Sequence, residues 1–184
     1  MMHPKITITG DLGSGKSVVS KLLEAALNYQ IYSTGKVQRE IAARYGMSTL
    51  ELNQYAETHP EIDEEIDSAF IQLNNAAEGL IVDSRLAWHF MPSSFKVYMS
   101  VPLEVAASRI MADPTRKGEQ YADLGQAVAQ LKARKDSENV RFLEKYGCDC
   151  TKMANFDYVA DTNGPSPEEV AAGILKAFES WKEK

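Results

Sequence analysis

Gly10-Asp11-Leu12-Gly13-Ser14-Gly15-Lys16-Ser17 is the stretch that decides the fold of this chain. It has a glycine, four residues and then Gly-Lys-Ser, which is the spacing of a phosphate-binding loop, or P-loop. The glycines let successive backbone N–H groups point into one concave nest, and the positive end of the following helix attracts phosphate. We expect this loop to bind the phosphates of a nucleotide. Lys16 should reach the β- and γ-phosphates, and the Ser17 hydroxyl should bind Mg²⁺.

The residues on either side support this interpretation of the loop. Residues 5–9 read Lys-Ile-Thr-Ile-Thr, a short β-prone run. After the loop, apolar residues recur at helical spacing from Val18 to Ala26. A strand, a glycine loop and a helix in this order are the context that a phosphate-binding loop requires.

The rest of the chain alternates strands with helices. Further strands are predicted at residues 31–32, 80–83, 95–101 and 156–160, and a long helix is predicted from Leu124 to Tyr146. This alternation indicates a parallel sheet covered by helices on both faces, with the ligand beyond the carboxyl ends of the strands. We therefore expect the α/β P-loop NTPase fold, with a five-stranded parallel sheet flanked by helices.

Composition limits the possible partners. The chain has 184 residues and a formal net charge of −6, which fits one domain and disfavours a nucleic-acid polymer or an anionic membrane as the main partner. No run of residues is apolar enough to span a membrane. We expect a monomer in the cytoplasm. The two cysteines, Cys148 and Cys150, do not form the four-ligand pattern of a zinc site.

Sequence features outside the glycine loop distinguish the classes of P-loop protein. No Asn-Lys-x-Asp guanine reader occurs in the sequence. The predicted strand at residues 80–83 ends in Asp83, which could hold Mg²⁺ through a water. Ser84 follows at the position where an ATPase motor usually has glutamate. A GTPase or a motor is therefore disfavoured, and Mg-ATP is the expected phosphoryl donor.

The segment from Ser33 to Arg39 reads Ser-Thr-Gly, three residues, then Arg, and it resembles the acceptor-binding segment of nucleoside monophosphate kinases. The resemblance implies that Arg39 grips the monophosphate and that Ser33, Thr34 and Gly35 lie against the nucleoside. An arginine on a helix can grip two phosphate oxygens at once.

Four more segments carry the resemblance along nearly the whole chain. They are Gly46-Met47-Ser48, Asp83-Ser84-Arg85-Leu86-Ala87, Arg134-Lys135-Asp136-Ser137-Glu138 with Arg141-Phe142, and Asp157-Tyr158-Val159-Ala160-Asp161-Thr162. Together they look like the short cytidylate kinase-like family found chiefly in archaea and some bacteria. The resemblance implies an acceptor-binding insertion at about residues 34–78, a lid at about residues 112–123, and phosphoryl transfer from ATP to CMP or dCMP.

Phosphoryl transfer needs positive charge around the migrating group. Arg134 and Arg141 lie seven residues apart, which places them on one face of the predicted helix. Arg109 and Arg116 lie at the edges of the expected lid and could close over the donor. Arg85 is expected to hold the acceptor phosphate with Arg39. The catalytic set is therefore Lys16, Asp83, Arg109, Arg134 and Arg141, with Arg116 added to the ATP-binding residues of the loop.

Two alternatives remain open from the sequence. Ser84 and the small number of arginines in residues 112–123 leave room for a P-loop kinase that acts on a sugar or a cofactor precursor. The chain could also be a nucleotide-binding regulator that has no transfer activity. Trial acceptors distinguish the first alternative, and tight ATP binding without any product would identify the second.

Overall fold

One parallel sheet organises the molecule. The computed structural model describes residues 3–47, 49–56, 58–114 and 121–183. The sheet has the strand order β2-β3-β1-β4-β5, and every adjacent pair is parallel. The strands are β1 (Ile6–Gly10), β2 (Gln30–Ser33), β3 (Leu80–Asp83), β4 (Phe95–Ser100) and β5 (Tyr158–Asp161). This architecture confirms the five-stranded parallel sheet expected from the sequence.

Helices cover both faces of the sheet. They are α1 (Lys16–Leu27), α2 (Thr34–Arg44), α3 (Thr49–Ala56), α4 (Pro60–Asn75), α5 (Ala87–Phe90), α6 (Leu103–Ala112), α7 (Leu124–Tyr146) and α8 (Pro167–Lys182), with a short 3-10 turn at Met153–Asn155. Within the described part of the chain, no helix is both long and apolar enough to cross a membrane.

Successive side chains of β4 point to opposite faces of the sheet and so belong to two different apolar clusters. Val97 and Met99 are fully buried in the core that α1 and α8 close, where Phe178 is also fully buried. Tyr98 points to the opposite face and packs with Phe142 of α7 in an aromatic cluster. A parallel sheet covered on both sides needs apolar or well-bonded side chains on both faces, and β4 meets that need residue by residue.

The limits of the elements agree with the sequence where a cap marks them. α7 has the predicted bounds because the Asp123 side chain accepts a hydrogen bond from the Gln126 N–H at 2.8 Å, and Gly147 ends the helix with φ 67°. The final strand begins at Tyr158 instead of residue 156, because the Phe156 N–H donates to the Met153 carbonyl and so ends a 3-10 turn.

Two differences affect the candidate site. α2 begins at Thr34, so the Ser-Thr-Gly segment is the start of a helix, with Ser33 at its N-cap position. α5 was not predicted, and it forms directly after the Asp83-Ser84-Arg85 segment. Of the expected lid, residues 112–114 and 121–123 are described, whereas Arg116 lies outside the described residues. Ser48 also lies outside them.

Candidate functional site

The glycine loop connects the end of β1 to the start of α1 at the carboxyl edge of the sheet. Gly10 and Gly13 have positive φ angles of 138° and 75°. A Cβ on Gly10 would lie 2.1 Å from the Met99 carbonyl oxygen, and one on Gly13 would lie 2.8 Å from the Ala106 carbonyl oxygen. Both contacts are too close for any side chain, so glycine is required for the loop to pack against β4 and α6.

Lys16 and Ser17 begin α1, where the first backbone N–H groups of a helix have no intrahelical acceptor. The Lys16 ammonium lies across the loop and donates to the carbonyl oxygens of Gly10 at 3.0 Å and Asp11 at 2.7 Å. Ser14 is buried, and its hydroxyl donates to the same Asp11 carbonyl at 2.7 Å. The loop therefore combines backbone donors, a helix N-terminus and a lysine at one point, which is an arrangement that binds phosphate.

Asp11 and Leu12 fix the loop from behind. The Asp11 N–H donates to the Met99 carbonyl, and its carboxylate is directed at β4 and α7. Leu12 packs against the apolar cluster between α6 and α7. The structure thus gives these two residues anchoring contacts, while the phosphate-facing geometry comes from the glycines, Lys16 and the start of α1.

The predicted acceptor segment lies at the same edge, two strands away from β1. Ser33 is paired in register with Asp83, and the Thr34 hydroxyl donates to the Asp83 carbonyl at 3.4 Å. Arg39 is exposed on α2 and folds back over the helix start, where a Cβ on Gly35 would lie 3.5 Å from the Arg39 Nη1. The start of α2 is therefore a small polar surface made of Ser33, Thr34, Gly35 and Arg39.

Asp83 ends β3, the strand between β1, which leads to the glycine loop, and β2, which leads to the start of α2. Burial raises the pKa of its carboxyl group, and the charges of Lys16 and Arg85 oppose that rise. The Asp83 carboxylate and the Ser17 hydroxyl are hard oxygen donors of the kind that Mg²⁺ prefers. No group of three or more His, Cys, Asp or Glu side chains within the described ranges could hold a metal ion by itself. The donor set therefore suits an ion that is also bound by phosphate oxygens.

A second cluster of charge links the segment after β3 to α7. The Glu138 carboxylate forms ion pairs with both Arg85 and Arg134, at 3.1 Å in the case of the Arg134 Nε. Burial and, to a smaller extent, the nearby Arg134 charge lower the pKa of Arg85 to about 10. Arg85, Asp11 and Lys135 line a small cavity of about 30 Å³ behind the glycine loop. Two arginines of the predicted site are thus brought together by one carboxylate.

The remaining predicted arginines lie in different surroundings. Arg109 donates to the Thr162 carbonyl at 2.8 Å and to the Gly13 carbonyl at 3.4 Å, so it ties the glycine loop to the segment after β5. The Arg141 guanidinium lies 5.3 Å from the centre of the Phe142 ring, at the aromatic cluster. Arg109 therefore contacts the glycine loop, whereas Arg141 contacts the aromatic cluster.

Sequence reasoning missed several residues that build the site. Glu138 carried a usable signal, since it follows Arg134 by four residues on a predicted helix and that spacing favours an ion pair. Lys135 and Thr162 lie in segments that carry the family resemblance but were given no role of their own, and Tyr98 carried no signal. Lys135 meets Asp11 across 124 positions of sequence, and only the folded sheet brings the two together.

The glycine loop between the first strand and helix, at the carboxyl edge of a five-stranded parallel sheet, defines a P-loop nucleotide-binding protein. Comparison of the sequence with known families agrees, because the AAA domain family matches residues 6–141. Comparison of the structure also agrees. A shikimate kinase from Acinetobacter baumannii, in complex with shikimate, superposes with a TM-score of 0.61 at 19% identity, covering 98% of this chain and 96% of that one. Such a likeness shows the fold alone.

Relatives by sequence are more specific. A cytidylate kinase of Thermoplasma volcanium is 35% identical over 184 residues, covering 98% of this chain and 94% of the relative. One of Haloarcula marismortui is 34% identical, covering 96% and 90%. An S-adenosylmethionine-dependent nucleotide dehydratase of Lacinutrix mariniflava is 34% identical over 97% of this chain and 36% of its own length. The chain belongs to the cytidylate kinase-like family and is a P-loop kinase, as its sequence motifs predicted.

Proposed function

We propose that this protein transfers the γ-phosphoryl group of ATP to a nucleoside monophosphate, with CMP or dCMP as the acceptor. The observation that carries the proposal is the position of Arg39. This arginine folds over Gly35 beside Ser33, and Ser33 is in register with Asp83 at the edge that carries the glycine loop. The proposal is supported by the glycine loop and a separate surface that carries Arg39, both at one edge of the sheet.

The relatives support the choice of acceptor. Several archaeal proteins named cytidylate kinase match more than nine-tenths of this chain at 31–35% identity. The motifs that carry the resemblance, Ser33 to Arg39 and Arg134 to Arg141, lie within these matches. CMP and dCMP are accordingly the first acceptors to test.

The proposed mechanism needs alignment and positive charge, with no covalent intermediate. The backbone N–H groups from Gly13 to Ser17 would bind the donor phosphates, and Lys16 would neutralise the β- and γ-phosphates. Mg²⁺ would supply further positive charge to the phosphate oxygens, with Ser17 and Asp83 as the protein groups that hold it, Asp83 through a water. Arg39 would orient the acceptor phosphate towards the γ-phosphorus.

The arginines of the second cluster would complete the charge around the phosphates. Arg134 would approach the migrating group, and Arg85 would hold the acceptor phosphate beside Arg39. Arg109 would keep the glycine loop in position through the Gly13 carbonyl. We retain Arg141 and Arg116 as proposed contributors. Closure of residues 112–123 over the site would exclude water and so prevent hydrolysis of ATP.

A coupled ADP-release assay tests the proposal. Wild-type protein with Mg-ATP is offered CMP, dCMP, UMP, AMP and shikimate in separate reactions. We expect the fastest turnover with CMP or dCMP. Lys16→Met should abolish it, whereas Lys21→Met, a change at an exposed lysine of the same helix, should not. Turnover of shikimate alone would favour the alternative acceptor class, and no ADP above the rate of ATP hydrolysis with any acceptor would overturn the proposal.

A further inference from the structure

A carboxylate lies inside the phosphate-binding loop. Asp11 is the second residue of the glycine motif, and its main-chain carbonyl accepts from the Lys16 ammonium. Its side chain is 13% exposed and extends behind the loop. There Oδ1 accepts from the Tyr98 hydroxyl at 2.9 Å, and Oδ2 accepts from the Val101 N–H at 3.1 Å. These two neutral donors fix the carboxylate in place.

This placement creates an electrostatic problem for nucleotide binding. The Asp11 carboxylate gives this loop a negative charge, although the loop has to bind a negatively charged triphosphate. Like charges a few ångströms apart repel strongly where water is partly excluded. The hydrogen bonds from Tyr98 and Val101 satisfy the oxygen atoms but add no positive charge. The Asp11 charge therefore has to be cancelled by a cation.

Lys135 of α7 is the cation that contacts this carboxylate. Its ammonium nitrogen lies 2.6 Å from the Asp11 Oδ1. Two nearby arginines, Arg85 and Arg134, share the Glu138 carboxylate, although the Arg85 charge also acts on Asp11. Lys16 bonds to main-chain oxygens of the loop. Asp11 is thus paired directly with Lys135 behind the phosphate site.

We propose that Lys135 is a positioning residue for the donor nucleotide, because it neutralises Asp11 and so lets the glycine loop accept a polyphosphate. The role is indirect, since it acts through the charge of Asp11 and needs no contact between Lys135 and the phosphates. The pair also makes ATP affinity depend on the docking of α7, the helix that carries Arg134 and Glu138. This inference rests on the donor half of the proposed function only.

A double-mutant cycle tests the proposal. The affinity for a non-hydrolysable ATP analogue with Mg²⁺ is measured by calorimetry for wild type, Lys135→Met, Asp11→Asn and the double variant. Lys135→Met leaves the Asp11 charge without its cation. We expect such a charge to cost about a factor of ten in affinity, so the variant should bind the analogue about tenfold more weakly. When it is measured in the Asp11→Asn background, the same Lys135→Met change should weaken binding by less than about threefold.

Controls separate charge from structure. Lys132→Met removes an exposed lysine of the same helix that pairs with Asp136, and it should leave affinity unchanged. Lys135→Arg keeps the positive charge and should bind the analogue nearly as well as wild type. An equally large Lys135→Met loss in the Asp11→Asn background, or a Lys135→Arg variant as weak as Lys135→Met, would overturn the proposal, because Lys135 would then act by direct phosphate contact or by packing.

The outcome can be distinguished from that of the proposed function. The binding assay contains no acceptor, so it keeps its meaning even if no nucleoside monophosphate is phosphorylated. A wild-type chain that bound no ATP analogue would overturn both. Normal turnover of CMP, together with a Lys135→Met loss in affinity that is unchanged in the Asp11→Asn background, would overturn only the role of Lys135.

Discussion

Replacing Glu138 with glutamine should destabilise the protein, because it removes the negative charge that pairs with Arg85 and Arg134. The Glu138 side chain is 19% exposed and that of Arg85 is 28% exposed. Removing one partner of a buried ion pair costs about 3–5 kcal/mol, because the other charge is left without compensation. Partial exposure reduces that figure, and we expect Glu138→Gln to lower the free energy of unfolding by about 2 kcal/mol. For a chain of this length, the melting temperature should fall by about 4–8 °C.

Urea denaturation monitored by tryptophan fluorescence measures this change. Trp88 is a suitable reporter, since it is buried and its indole N–H donates to the Arg85 carbonyl at 3.0 Å. Asp136→Asn is the matched control, because Asp136 lies on the same helix in an ion pair with Lys132 whose side chains are 58% and 63% exposed. That control should change stability by less than about 0.5 kcal/mol. Equal urea midpoints for the two variants would refute the reasoning.

Three further predictions concern single groups. Asp83→Asn should raise the melting temperature at pH 7 while it lowers transfer activity. Burial raises the pKa of this carboxyl group, so its negative charge opposes folding at any pH above that pKa. The gain in melting temperature should therefore disappear as the pH falls towards the ordinary aspartate pKa of 3.8. A variant with no gain at pH 7 would contradict this prediction. Gly13→Ala should destabilise the fold by about 2 kcal/mol more than Gly15→Ala in urea denaturation, because only the Gly13 Cβ meets backbone atoms of α6; equal losses would exclude the clash. Burial raises the pKa of the Cys150 thiol to about 12, so iodoacetamide at pH 8 should alkylate it far more slowly in the folded protein than in urea, as read by mass spectrometry, and equal rates would contradict this.

The glycine loop and α7 were predictable because their determinants are local. The spacing from Gly10 to Ser17 specifies a nest and a helix start, and Asp123 and Gly147 mark both ends of α7 within a few residues of sequence. The sheet followed from the alternation of strands and helices, since parallel strands need a crossover between them. Local chemistry therefore accounts for the fold class and for the donor loop.

Contacts across the sheet could not be predicted in this way. Asp11 was expected only as one of the ATP-binding residues of the loop, and the three partners of its side chain come from β4, the residue after β4, and α7. Arg141 shares a helix face with Arg134 by spacing, and its guanidinium also lies over the ring of Phe142, which belongs to the aromatic cluster. Periodicity identifies the face of a helix, and the contacts of each residue on that face depend on tertiary packing.

The separation of a donor site from an acceptor site is tested most directly by calorimetric titration of Arg39→Ala with CMP and with a non-hydrolysable ATP analogue. A charge-assisted contact to phosphate contributes about 1.5–3 kcal/mol, so CMP affinity should fall by roughly 10- to 100-fold. Affinity for the ATP analogue should stay within about twofold. Arg44→Ala, on the same helix and paired with Glu65, should bind both ligands as wild type does. Equal losses for the two ligands in Arg39→Ala, or unchanged CMP binding, would contradict the account.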